Sequence, residues 1–303
     1  MNLKKRLVVA FLLILLVVVS GCSLTGKKSS STTSKSKKAV EDIRTGTLGI
    51  VVSFLPNNPP ERVVVEQGIE NPIKVVLQLN NKGAYPQPNE GEKGLAPGFG
   101  RVYLSGFDNR IIKFAKNSFD LSQTTLEGRS TINPNGGIDF VTFEGGVDTN
   151  NLNVERYEPI MLATACYYYF TIAEPQVCID PDPYSTITQK KVCEVGDTTL
   201  SSQGAPIAIT KMVEEALATK TQFRITVKNV GGGEVIKASA SAGTEAMDKC
   251  NPFGTTKLGR EDIDKVFLQE VKLGIQTLQC GPFADQSGAK GTHGFIRLIN
   301  GEG

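Results

Sequence analysis

In several stretches of this chain apolar residues occupy every second position, and such a run can bury one face only as a β-strand. Leu48, Ile50, Val52 and Phe54 alternate with Gly49, Val51 and Ser53 until Pro56, Pro59 and Pro60 end the run. Ile73, Val75, Leu77 and Leu79 alternate with Lys74, Val76 and Gln78, giving one face to a core and a mostly polar face to solvent. Phe223, Ile225 and Val227 against Arg224, Thr226 and Lys228 repeat the pattern. Few windows keep a 3.6-residue apolar period beyond two turns, and glycine and proline are frequent. Asn135-Gly136 and Asn300-Gly301 mark tight turns that need positive φ. The expected fold class is therefore mainly β. Gly98-Phe99-Gly100 and Gly231-Gly232-Gly233 lead into β-type sequence rather than a helix, so they read as turns and not as phosphate cradles.

Two of these strands are alike beyond their period. Leu77-Gln78-Leu79-Asn80-Asn81-Lys82-Gly83 lines up with Ile225-Thr226-Val227-Lys228-Asn229-Val230-Gly231, each a strand running into Asn-x-Gly. Asn bonds its local backbone there and Gly takes the left-handed conformation that turns the chain. Upstream, Arg62 to Glu66 and Ile207 to Lys211 give each copy a preceding strand. Downstream, Gly137 to Val141 has a looser counterpart in Gly294 to Leu298. The strand ending in Asn-x-Gly resembles the CARDB-type repeats, immunoglobulin-like sandwiches of bacterial and archaeal surface proteins. That resemblance implies adhesion or spacer modules, although a sandwich by itself fixes no function. Two tandem immunoglobulin-like β-sandwiches are the expected architecture, over 45–200 and 201–303, with Gly/Pro-rich insertions at Asn89 to Gly100 and Asp248 to Arg260. Ile160 to Thr171 is the expected last strand of the first. Its Tyr167, Tyr168 and Tyr169 read as core rings on both faces, and alternatively as an exposed aromatic stripe for a glycan or protein partner.

Ahead of the strands stands an address. Lys4, Lys5 and Arg6 precede an apolar run from Leu7 to Val19, and Ser20 and Gly21 lead into Cys22. Val19-Ser20-Gly21-Cys22 resembles the lipobox of secreted lipoproteins, which implies lipidation at Cys22; an uncleaved hydrophobic anchor helix is the alternative. Residues 1–22 are thus a lipoprotein signal or membrane anchor, and 23–44 a disordered Ser/Lys tether. Either way the remainder is expected on the extracytoplasmic face, at the cell surface or in the periplasm. Lys4, Lys5, Arg6, Lys27, Lys28, Lys35, Lys37 and Lys38 precede any acidic residue, so the net charge of +2 conceals an acidic remainder. Basic groups beside the anchor suit anionic lipid headgroups. An acidic exported part argues against nucleic acid as a partner.

In an exported region thiols oxidise, so Cys166, Cys178, Cys193, Cys250 and Cys280 form the expected disulfide framework. Cys178 and Cys193 bracket a polar stretch with an Asp-Pro-Asp-Pro turn and are the expected pair, worth on the order of 3 kcal/mol. Cys166 with Cys178 is the competing pair, and Cys250 with Cys280 is expected across the second sandwich. With Cys22 lipidated, five thiols are an odd number. Together with the shorter second copy, this leads to the expectation of a sequence cut within the second sandwich, short of one strand and a sixth exported cysteine.

Chemistry is sparse. His293, in a Gly291-Thr292-His293-Gly294 loop, is the single histidine, so one chain holds no histidine pair for a metal or for acid/base work. No G-x-S-x-G occurs, and Ser34 with Lys37 in a Ser/Lys tract is a chance S-x-x-K. Asp180 and Asp182, near Glu194 and Asp197, are weak calcium candidates, with solvated hairpin carboxylates as the plainer reading. Glu261, Asp262 and Asp264 are expected as surface charge on a turn feeding a strand. No cofactor and no catalytic residue is implied. The expected function is a non-catalytic interaction or assembly role; a ligand- or glycan-binding envelope lipoprotein and an envelope hydrolase are the alternatives.

Overall fold

A computed structural model describes residues 43–69, 71–85, 100–124, 126–151, 155–180, 193–217, 220–237, 243–286 and 289–303. The anchor with Cys22, and the tether up to residue 42, lie outside them. The protein is mainly β, as the alternating runs predict. In chain order the strands are β1 (Ile50–Phe54), β2 (Asn71–Asn81), β3 (Gly100–Ser105), β4 (Ile112–Phe114), β5 (Ser118–Asp120), β6 (Ile138–Val147), β7 (Leu162–Tyr167), β8 (Thr198–Thr199), β9 (Ile207–Leu217), β10 (Lys220–Asn229), β11 (Lys265–Leu268), β12 (Lys272–Leu273), β13 (Gln276–Thr277) and β14 (Gly294–Arg297). One α-helix, α1 (Gly243–Lys249), lies among the described residues.

Two antiparallel sheets, ordered β1-β2-β6-β4 and β5-β3-β7, share a core in a sandwich-like arrangement. β2 supplies Val75, Leu77 and Leu79, all fully buried, while Lys74 just ahead of them faces solvent. Against them pack Val141 and Phe143 of β6, and Val102 and Leu104 of β3. Each such side chain contributes roughly 1.5–3 kcal/mol by leaving water. The strand expected over 160–171 is β7, paired antiparallel with β3.

In the second half β8, β9 and β10 form an antiparallel sheet in the order β10-β9-β8. A bulge between Thr226 and Val227 shifts the β9–β10 register. β11 pairs with β14, and β12 with β13.

The internal repeat is written in hydrogen bonds. The Gly83 amide donates to Asn81 Oδ1 at 3.1 Å, and the Gly231 amide to Asn229 Oδ1 at 3.2 Å. Asn81 Nδ2 donates to the Tyr85 carbonyl at 2.7 Å, and Asn229 Nδ2 to the Gly233 carbonyl at 2.8 Å. The next amide also matches: Lys82 donates to the Gly49 carbonyl and Val230 to the Pro206 carbonyl. The Asn81 amide donates to the Gly137 carbonyl and the Asn229 amide to that of Gly301. Registers therefore correct two of the sequence correspondences. The strand beside β2 that matches β9 is β1, because Ile50 lies opposite Asn81 as Ile207 lies opposite Asn229. Arg62 to Glu66 forms no strand; its valines have the propensity but no partner. The counterpart of β6 is residues 301–303, since Gly303 exchanges two hydrogen bonds with Val227, whereas β14 pairs with β11.

α1 lies against the outer face of the β5-β3-β7 sheet. Its Ala246 and Met247 are buried, the hydroxyl of the buried Tyr103 donates to the Met247 carbonyl, and Arg101 bonds Asp248 at 2.8 Å. Cys250, just past the helix, is joined to Cys166 of β7. Lys249 bonds Asp262 at 2.7 Å, and that carboxylate also accepts the Gly259 amide. Asp262 is therefore buried rather than surface charge, and the Lys249 ammonium beside it holds its carboxyl below the usual range.

Candidate functional site

The five cysteines among the described residues divide as two pairs and a thiol. Cys178 is joined to Cys193, as expected. Cys166 is joined to Cys250, so neither Cys166 with Cys178 nor Cys250 with Cys280 forms. The physical reason is α1: docking on the outer face of β7 brings the Cys250 Cα within 6.4 Å of that of Cys166. Cys280 stays a partly buried thiol on a segment bonded to Gly291, and burial pushes its ionisation up.

The tyrosines split by parity. Tyr167 and Tyr85 pack against the first core. Tyr169 stands edge-on to both at 5.8 Å, and its hydroxyl accepts the Tyr85 amide and donates to the Gly204 carbonyl. Burial pushes the hydroxyl of Tyr168 up as well, and all three rings are partly buried. They link the first sandwich to the approach to β9 and leave no exposed aromatic row at 167–169. Asp180 is partly buried, while Asp182 lies outside the described residues. Among the described residues no group of three His, Cys, Asp or Glu side chains is placed to hold a metal ion. His293 is exposed, with the Thr292 hydroxyl 3.1 Å from Nδ1.

The equivalent strands β2 and β10 are flanked differently among the described residues. β2 is flanked on both sides, by β1 and β6, over most of its length. β10 has β9 on one side and, among the described residues, 301–303 on the other, which bond Asn229 and Val227. Main-chain groups of a strand point alternately to its two sides. Those of Ile225, Phe223 and Thr221 therefore face the same way as those of Val227 and Asn229, and no described strand meets them. The side chains agree: Leu77 and Val75 are fully buried, yet Ile225 and Phe223, at the matching positions, are partly exposed. Lys220, Arg224 and Lys228 line the opposite, solvent face of β10, where Glu302 already stands 3.8 Å from Lys228.

β9 holds a side chain that motif searching passed over. Glu214 lies opposite Phe223 and is therefore on the inner face with Met212; it is 9% exposed, and neither carboxylate oxygen has a hydrogen-bond partner. Burial pushes its carboxyl above the ordinary value. The signal was present in Met212-Val213-Glu214, where period two puts Glu on the face of Met. No protein-family model, curated protein or solved structure matches the chain.

Proposed function

We propose that this is an exported, membrane-anchored protein with a non-catalytic role in protein–protein interaction or assembly. The observation that carries the reading is the repeated strand end in Asn-x-Gly, whose hydrogen bonds recur at Asn81 and Asn229 as in tandem β modules of surface proteins. Export is supported by two disulfides, which persist in oxidising compartments. Anchoring is supported by the apolar run ending at Cys22. The immunoglobulin-like, CARDB-type reading of the two halves goes with this function and draws on the repeated Asn-x-Gly turn. The test is cross-linking of the full chain in intact cells, with an acyl label. Expected are a cross-linked complex on the outer face and a label lost in Cys22→Ser. A chain that stays uncross-linked, or that turns over an envelope glycan or peptide, overturns the reading.

A further inference from the structure

We infer that the two Asn-x-Gly turns clasp the halves of the molecule to each other. The glycine of each turn seats the segment that leads into the other copy, and the halves move as one rigid body.

The turns do not need glycine for the reason expected from the sequence. Neither Gly83 nor Gly231 has a positive φ, so the left-handed conformation is not what excludes a side chain there. Close approach excludes it. A Cβ on Gly83 would stand 2.7 Å from the Gly204 carbonyl oxygen and would overlap the Tyr169 hydroxyl. A Cβ on Gly231 would stand 3.1 Å from the Thr47 carbonyl oxygen and 2.6 Å from Pro206 Cβ. Gly204 leads into β9 and Thr47 into β1, so each glycine faces a carbonyl of the other copy.

The registers make the two contacts equivalent. Ile50 and Ile207 occupy the same place opposite the turn asparagine, and Thr47 and Gly204 stand at the same distance along the chain ahead of them. The first copy therefore offers the second what the second offers the first, the reciprocity of a two-fold contact built inside one chain. Hydrogen bonds fasten it. The Ala84 amide, beside Gly83, donates to the Gly204 carbonyl at 2.7 Å, and the Tyr169 hydroxyl donates to the same oxygen at 3.3 Å. The Gly204 amide donates to the Gly46 carbonyl at 3.1 Å, and the Gly46 amide to the Ser202 hydroxyl at 2.9 Å. Gly204 reaches the first copy with both its main-chain groups at φ 71°, a conformation that a side chain resists. A hinge works by letting a few residues absorb a change of backbone angle, and side chains at a sliding interface adjust by changing rotamer. Main chain pressed on glycine has neither freedom, so the angle between the halves is fixed.

The test reads that angle. Full-length protein in detergent carries spin labels on unnatural, non-cysteine side chains at Thr142 of β6 and Gln222 of β10, both exposed, and is diluted in unlabelled protein so that only distances within a chain are measured. The parent is expected to give one narrow distance. Gly231→Ala should widen the distribution by about twofold. Gly233→Ala should leave it unchanged, because the added carbon meets nothing within 4 Å and φ there is not positive. Gly83→Ala is expected to widen it too. Since Gly83 is buried and that variant can fail to fold, Ser202→Ala, which removes the acceptor of the Gly46 amide, is the second variant, and it should also widen the distribution while circular dichroism stays that of the parent. A broad distribution in the parent, parental widths in folded Gly231→Ala and Ser202→Ala, or equal widening in Gly233→Ala overturns the inference. No partner enters the measurement, so failure of the association reading leaves this result standing.

Discussion

At the scale of single residues, the most consequential side chains are the two asparagines that close equivalent strands. Asn81 is fully buried and makes three hydrogen bonds, to the Tyr85 and Leu126 carbonyls and from the Gly83 amide. Asn229 makes the two that its copy shares, in a more open setting. Asn81→Ala leaves two carbonyls and an amide unmet and is expected to cost about 2–4 kcal/mol in urea unfolding, and Asn229→Ala about 1 kcal/mol. Glu214 acts in the opposite direction. Its folded carboxyl titrates above the unfolded one, so the native state holds the extra proton between the two values. Stability therefore falls as pH rises from about 4 through the folded value, and the loss is complete above it. Glu214→Gln should match the parent near pH 4 and exceed it by on the order of 1 kcal/mol at neutral pH, read from urea midpoints across the range.

At the scale of elements, the sheet that carries β2 was legible because its alternation is clean and both faces have a clear fate. β10 was equally legible as a strand, and its Asn-x-Gly turn announced the repeat. What periodicity does not carry is partnership. Arg62 to Glu66 holds three consecutive valines, yet β1 takes the place beside β2, because its inner residues Ile50, Val52 and Phe54 fill the first core. α1 was illegible for a further reason: seven residues carry little helical signal, and its burial depends on β3 and β7 far away in sequence. The disulfide beside it closes a separation of 84 residues, and that of Cys178 one of 15. In the chain-entropy model the longer loop is worth about 4–5 kcal/mol and the shorter about 3. Cys166→Ser with Cys250→Ser should therefore lower the thermal midpoint more than Cys178→Ser with Cys193→Ser, in matched calorimetric scans.

At the scale of the whole molecule, the first sandwich and the second half share the hydrogen-bonded Asn-x-Gly strand end. The link between them is covalent as well as packed, and the Cys166–Cys250 bridge has a bearing on survival outside the cell. A single backbone cut at any bond from Tyr167 to Lys249 splits the polypeptide into two pieces, and the bridge still ties them together. A protease that nicks this span once does not release a fragment. On a denaturing gel the nicked protein should run at full mass without reductant and as two bands with it, and Cys166→Ser nicked outside the Cys178–Cys193 loop should run as two bands under both conditions.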